Sequence, residues 1–228
     1  IKPDVVGNGV FVYSTSSSGD FIYYSTSGTS MSSPNVAGSM LLLQEMHHDT
    51  FGSYMTSAEL KALVIHTADE AGPADGPDYQ HGWGMLNTLK AAQLIDDTSS
   101  NDLFLATLNN GGSFSHNIAS DGTSPLRVTI CWNDPAGNQK FGLDNATPDL
   151  VNDLDVRLLG PGGTSFPYIL DPANPGTAAT TGDNTLDNVE QIYLANPQAG
   201  NYSIQITHKG SLQGASQDVA IVVSGTSP

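Results

Sequence analysis

The apolar residues of this chain change their spacing near residue 100, and no single layer of secondary structure satisfies both spacings. Beyond Asn101 the period is two. Leu126, Val128, Ile130 and Trp132 alternate with Arg127, Thr129 and Cys131, and Leu154, Val156 and Leu158 alternate with Asp153, Asp155 and Arg157. Tyr202, Ile204 and Ile206, then Val219, Ile221 and Val223, repeat the pattern. Adding residues 103–108, 113–118, 166–170 and 189–195 gives about eight short strands separated by Gly, Pro, Asn and Asp. Such a set predicts an all-β antiparallel sandwich of the jelly-roll kind, with each strand half buried.

Before residue 95 the texture is mixed helix and loop. A β-branched stretch (Val5, Val6, Val10, Val12) leads through a Ser/Gly-rich turn to an apolar run, Val36 to Met46, that fits a largely buried helix. Thr56 followed three positions later by Glu59 is the spacing of a capping box and predicts a second helix, with Leu60, Leu63, Val64 and Thr67 as its apolar face. Asn87 is placed to cap a third, containing Leu89, Ala92 and Leu94. The expected organisation is an α/β unit over 1–98 and the sandwich over 99–228, with residues 95–101 as linker.

Seven basic against 23 acidic side chains leave a formal charge of −16. Nucleic-acid binding through a basic patch is excluded, because phosphates would be repelled over most of the surface. No apolar run approaches the roughly 20 residues that a membrane helix needs, so no membrane partner is expected. The single cysteine, Cys131, makes no internal bridge. The acids comprise 19 Asp and 4 Glu, a bias that suits turns, helix caps and calcium coordination rather than solvated helix faces.

The densest local signal is GTSMSSPNVAG, Gly28 to Gly38, at the start of the first helix. Unpaired N–H groups and the positive end of the helix dipole stabilise negative charge there, which favours a nucleophilic serine. The backbone N–H of Ser30 could itself donate to the oxyanion of a tetrahedral intermediate. Gly28 would let the backbone pass close to substrate, and Pro34 is expected in the first helical turn, where its missing N–H costs nothing. The plain alternative is a Ser-capped helix with a Gly-rich approach.

GTSMSSPNVAG resembles the nucleophile signature of the subtilisin-like serine proteases, the subtilases. KPDVV, Lys2 to Val6, resembles the strand that precedes this loop in the family, and HGWGMLNTLKAA, His81 to Ala92, resembles the segment leading into its last catalytic-domain helix. The resemblance implies that Ser30 is the catalytic nucleophile, with Gly28 and Thr29 in the substrate and oxyanion loop. Where the family continues toward an APG-like turn, this chain has Gly7, Asn8 and Gly9. In the family the triad runs Asp, His, Ser. With Ser30 so early, the Asp, the His and the oxyanion-hole Asn are expected in upstream polypeptide, and this chain alone is expected to be inactive.

The histidines here do not fill the gap. His47 is 17 residues along the same helix, about 25 Å at 1.5 Å per residue. A Ser, Asp, His order using Asp69 and His81 fails the GxSxG elbow pattern because Ser32 holds the last position. His47, His48, His66 and His81 are read as structural or exposed, and His116 and His208 carry no signal.

CWNDPAG (131–137), LVNDLDVRLLGPGG (150–163) and DNVEQIYLANPQAGNYSIQI (187–206) resemble the jelly-roll domain that follows the catalytic domain in some bacterial alkaline subtilases, and more distantly the P domain of kexin-like convertases. Such domains often bind calcium. From the residues themselves, Asp153 and Asp155 project from one face of a strand as unpaired carboxylates that a cation would relieve. Asp183, Asn184, Asp187, Asn188 and Glu190 form a second cluster, which Asp134 could join; Asp171 with Asn174 is weaker. The bland reading is Asx turns and charged strand edges. Trp132, Tyr168, Tyr193 and Tyr202 could form a carbohydrate-binding face, although Trp132 and Tyr202 fall at core positions.

The expectation is thus the C-terminal part of a secreted serine endopeptidase with structural calcium, whose partners are the upstream part of its catalytic domain and a polypeptide substrate. The alternative is a non-catalytic, calcium-stabilised β-sandwich binding module of an inactive homologue or cleaved piece.

Overall fold

The computed structural model describes residues 1–97, 103–143 and 147–227. The first region contains the hairpin β1 (Val12–Thr15) and β2 (Tyr23–Thr26), then helices α1 (Thr29–Phe51), α2 (Ser57–Thr67) and α3 (Thr88–Asp96). The second contains β3 (Leu103–Asn109), β4 (Phe114–Ser120), β5 (Leu126–Trp132), β6 (Leu154–Gly160), β7 (Gly163–Ser165), β8 (Tyr168–Ile169), β9 (Thr180–Thr181), β10 (Val189–Leu194), β11 (Gly200–His208) and β12 (Ser216–Ser224). Part of the expected linker, residues 98–101, lies outside the described residues.

The period-two segments form two four-stranded antiparallel sheets, in the orders β10-β5-β12-β3 and β4-β11-β6-β7. Their inner faces supply one core: Leu126, Val128, Ile130 and Trp132 from β5, Leu154, Val156 and Leu158 from β6, Tyr202, Ile204 and Ile206 from β11, and Val219, Ile221 and Val223 from β12. Trp132 is fully buried, and its indole N–H donates to Asn152 O at 2.9 Å. The Tyr202 hydroxyl donates to Gln198 O at 2.8 Å. Both aromatics are core, not ligand face. The strand expected over 166–170 contracts to β8, which pairs only with β9. Pro167, just ahead of β8, has no N–H to give to a ladder.

Half burial fails for the first sheet. Cys131, Val189, Ala220 and Val222 point away from the sandwich core and pack under Ala58, Ala62 and Ile65 of α2 and Trp83. The opposite side of α2, Leu63 and Val64, packs with Leu43 of α1 and with Ala91 and Ile95 of α3. Helix α2 is therefore buried all round, and the single apolar face expected from its sequence is too narrow. Its capping box forms: Thr56 N donates to Glu59 Oε2 at 2.7 Å and Glu59 N to Thr56 Oγ1 at 3.3 Å. Asn87 Oδ1 likewise accepts from Lys90 N at 2.9 Å.

The seam between the regions is also polar. His66 of α2 meets Thr129 Oγ1 of β5 at 2.9 Å through Nδ1 and Ser224 Oγ of β12 at 2.8 Å through Nε2. Arg127 Nη1 donates to His66 O at 2.5 Å, near the C-terminal end of α2, where the helix dipole favours a cation. The Arg127 guanidinium lies over the Tyr193 ring, 4.8 Å from its centroid.

Helix α1 corrects the expectation of a largely buried helix. Leu43 is its one buried residue, whereas Leu41 and Leu42 are 71% and 62% exposed. The nearby hairpin and its approaches expose Phe11, Tyr13, Phe21, Tyr23 and Tyr24. The strand expected in KPDVV reduces to one parallel bridge, Val6 to Met85.

Candidate active site

Ser30 is the second residue of α1 and is exposed. Its N–H is among the first four of the helix, which have no intrahelical acceptor, and it lies at the positive end of a 23-residue helix. Both features suit a serine oxygen that passes through an anionic intermediate.

The preceding loop fixes where that helix starts. Gly28 N donates to Gly9 O at 2.8 Å, and Ser32 Oγ donates to Gly7 O at 2.9 Å. A Cβ on Gly9 would lie 2.7 Å from Gly28 O and 2.9 Å from Ser32 Cβ, and one on Gly7 would lie 2.6 Å from Val36 Cγ2. The Gly-Asn-Gly of residues 7–9 is thus the shape that lets the loop lie against the turn that carries Ser30. Gly7, Gly9 and Ser32 position Ser30, and the paired glycines are the sequence signal for this.

Pro34 stands elsewhere than expected. Because α1 begins at Thr29, Pro34 is its sixth residue and lies beyond the first turn. An α-helical bond would run from N–H 34 to C=O 30, so the proline removes the donor for the carbonyl of Ser30 itself. The hydrogen-bond ladder is interrupted at Ser30.

The histidines are engaged away from Ser30. His47 Nδ1 meets Ser53 O at 2.7 Å, His48 stacks on Tyr54, and His81 Nδ1 meets Asp78 Oδ2 at 3.2 Å. Asp69 is bound by Lys90 at 2.5 Å and Asn87 at 2.8 Å, so Asp69 and His81 are not paired as a relay. Hydrogen bonding from Lys90 holds the Asp69 carboxyl below its ordinary value. His66 is held well below the usual imidazole range, by burial first and by the Arg127 charge second. It is a neutral seam residue. His116 packs against Phe104, and His208 Nε2 accepts from Gly111 N at 2.8 Å.

Of the seven metal-ligand candidates, Asp153, Asp155 and Asp183 meet around Lys209, and the others are engaged separately. Asp134 accepts from Val151 N at 2.7 Å and Asn152 N at 2.8 Å, and Asn188 Nδ2 donates to Trp132 O at 2.6 Å. Asp187 accepts from Asn184 Nδ2 at 3.3 Å. Glu190 reaches across the edge between the sheets, where its Oε2 accepts from Val156 N at 2.6 Å, and burial pushes its carboxyl well above the ordinary value.

Asp153 and Asp155 share a face as expected, but they are not unpaired. Lys209 Nζ lies 2.7 Å from Asp155 Oδ1, 3.1 Å from Asp183 Oδ1 and 3.4 Å from Asp153 Oδ2. Arg157 Nη2 adds contacts of 3.1 Å to Asp155 and 2.5 Å to Asp183. Among the described residues, no three His, Cys, Asp or Glu side chains form a group that could hold a metal ion. As these side chains stand, Lys209 and Arg157 neutralise the carboxylates.

A serine in the exposed first turn of a helix, held by a close-packed glycine loop within GTSMSSPNVAG, is the local arrangement that the resemblance to subtilisin-type serine peptidases implies. Residues 1–84 match the model of the Subtilase family. It is similar to subtilisin-like protease SBT3.4 of Arabidopsis thaliana, 26% identical over 195 residues that make up 75% of this chain and 24% of that protein. Subtilisin-like protease SBT3.2 of the same plant is 26% identical over 211 residues, 82% of this chain and 27% of that protein. The minor extracellular protease Vpr of Bacillus subtilis is 31% identical over 109 residues, 43% of this chain and 13% of that protein. The chain thus spans about a quarter of the length of the plant relatives it matches.

Proposed function

We propose that this chain is the nucleophile-bearing part of a secreted subtilisin-like serine endopeptidase, joined to a jelly-roll sandwich. The observation that carries the reading is the placement of Ser30. It lies exposed in the first turn of α1, beside the apolar surface of α1 and the β1–β2 hairpin. That surface is where the upstream part of the catalytic domain, bearing the Asp, His and Asn, would pack.

In the assembled enzyme Ser30 Oγ attacks the scissile carbonyl while the upstream His takes its proton. The oxyanion accepts hydrogen bonds from Ser30 N–H and the upstream Asn. The protonated His then gives its proton to the leaving amine. Water, deprotonated by the same His, hydrolyses the acyl-enzyme and frees Ser30. Gly28 and Thr29 line the approach to the nucleophile. The strand orders β10-β5-β12-β3 and β4-β11-β6-β7 support the jelly-roll reading, and the sandwich braces α2 from behind.

Fluorophosphonate labelling tests the assignment. The isolated chain should stay unlabelled, whereas the chain folded together with its upstream catalytic segment should be labelled at Ser30, and Ser30→Ala should abolish the signal. Rapid labelling of the isolated chain would contradict the need for an upstream base. Absence of labelling in the assembled protein would remove Ser30 as nucleophile.

A further inference from the structure

Phe11 carries two burdens that nothing among the described residues offsets. Its φ is +51°, a backbone region that crowds the Cβ of an L-residue against the following carbonyl and in which a bulky residue is an outlier. Its side chain is 78% exposed. No aromatic ring among the described residues pairs with it, whereas Tyr13 and Tyr23 stack on each other with centroids 5.7 Å apart. Glycine would take this φ without crowding, so the turn itself gives no reason for a phenyl ring.

The strain is held in place by the stretch of chain that leads into Ser30. Phe11 N donates to Ser27 Oγ at 2.8 Å, and two residues earlier Gly9 O accepts from Gly28 N at 2.8 Å. Between them Asn8 Oδ1 accepts from Val10 N at 3.2 Å. Residues 9 and 11 are thus both fastened to residues 27 and 28, and the three steps of chain from Ser27 to Ser30 span at most about 11 Å. An extended peptide lying at Ser30 advances about 3.3 Å per residue, so a ring fixed this close reaches a side chain within about four residues of the scissile bond. Phe21, in the connection between β1 and β2, is 93% exposed but has an ordinary φ and no hydrogen bond to the 27–30 stretch among the described residues.

We propose that the ring of Phe11 is a wall of a substrate subsite, where it contacts an apolar side chain of the peptide a few residues from the scissile bond and favours substrates that carry one there. The inference rests on the reading of Ser30 as the nucleophile of a serine endopeptidase. Closing the ring against an apolar side chain takes both out of water, and substrate binding thereby supplies the contact that Phe11 lacks in this chain. The bonds to Ser27 and Gly28 hold the strained backbone before the substrate arrives, so little ordering remains to be done on binding. Phe11 meets a side chain and not the scissile carbonyl. It therefore changes which peptide is cleaved and leaves the chemistry at Ser30 alone.

The test uses the chain folded together with its upstream catalytic segment. Internally quenched peptides carrying either Phe or Ala at one position at a time, over about four residues on each side of the scissile bond, are compared for wild type, Phe11→Ala, Phe11→Gly and Phe21→Ala. At one position the wild type should prefer Phe to Ala in kcat/KM, and that preference should fall about 5–30-fold in both Phe11 variants and less than about twofold in Phe21→Ala. Fluorophosphonate labelling of Ser30 should be unchanged, and Phe11→Gly, which accepts the backbone conformation, should melt no lower than the wild type. A wild type with no such preference, or a labelled Phe11→Ala enzyme that keeps it, would overturn the proposal and leave the Ser30 reading standing. So would an equal loss of kcat/KM for every peptide with a lower melting temperature in both Phe11 variants, which makes Phe11 a packing residue under the upstream segment. Failure of the assembled wild type to label at Ser30 removes both readings.

Discussion

The two regions solve the burial problem differently. In the sandwich the inward apolar side chains of β5, β6, β11 and β12 form one core, and Trp132 has even its indole N–H satisfied. In the first region α2 is buried on all sides, yet α1 has Leu43 as its sole buried residue. One region closes on itself. The other is complete on the side that faces the sandwich and open on the side that bears Ser30. Its stability is thus borrowed from the sheet behind it, and its chemistry depends on whatever covers the open side.

Cavity-forming substitutions in the two regions break or sharpen this contrast most directly. Trp132→Ala should cost about 3–5 kcal/mol, because it empties the centre of the sandwich and leaves Asn152 O without its donor. Leu42→Ala on the open side of α1 should stay within about 0.5 kcal/mol. Urea unfolding measures both, and comparable losses would mean that α1 is covered in solution.

Acid should weaken the seam by a smaller amount. His66 has a depressed folded-state pKa, so its contribution is full above the unfolded value near 6.5 and is lost as pH falls. The slope reaches at most about 1.4 kcal/mol per pH unit. Glu190 runs the other way. Its raised carboxyl contributes fully below its unfolded value near 4.5 and less as pH rises. Urea midpoints of wild type and His66→Gln between pH 7 and 5 separate the two groups, and identical slopes would remove His66 from the seam. Thr56→Ala should cost about 1 kcal/mol, through loss of the reciprocal bonds with Glu59, when measured by the same urea unfolding.

What could be read in the sequence was local. The strands of the sandwich, the capping box of α2 and the Asn87 cap all follow from patterns a few residues long. So does the placement of Ser30 at a helix start. What could not be read depends on distant partners. Cys131 and Ala220 fall on the phase a strand usually shows to water, and α2 and Trp83, far earlier in the chain, pack against them. The repulsion between Asp153 and Asp155 is a sound inference from spacing. The cation that relieves it lies 54 residues beyond Asp155, at a position no local pattern marks. Pro34 falls outside the first turn because the helix begins at Thr29, inside the motif rather than after it.

The burial of α2 also sets a timetable. His66 and Ser224, which meet across the seam, are 158 residues apart in sequence. At roughly 5–20 residues per second, a ribosome needs about 8–30 s between making one and the other. For all that interval α2 has no β12 to rest on, and β5, once made, still lacks one of its two neighbours. The packing of the nascent first region is therefore unfinished until the last strand of the seam arrives.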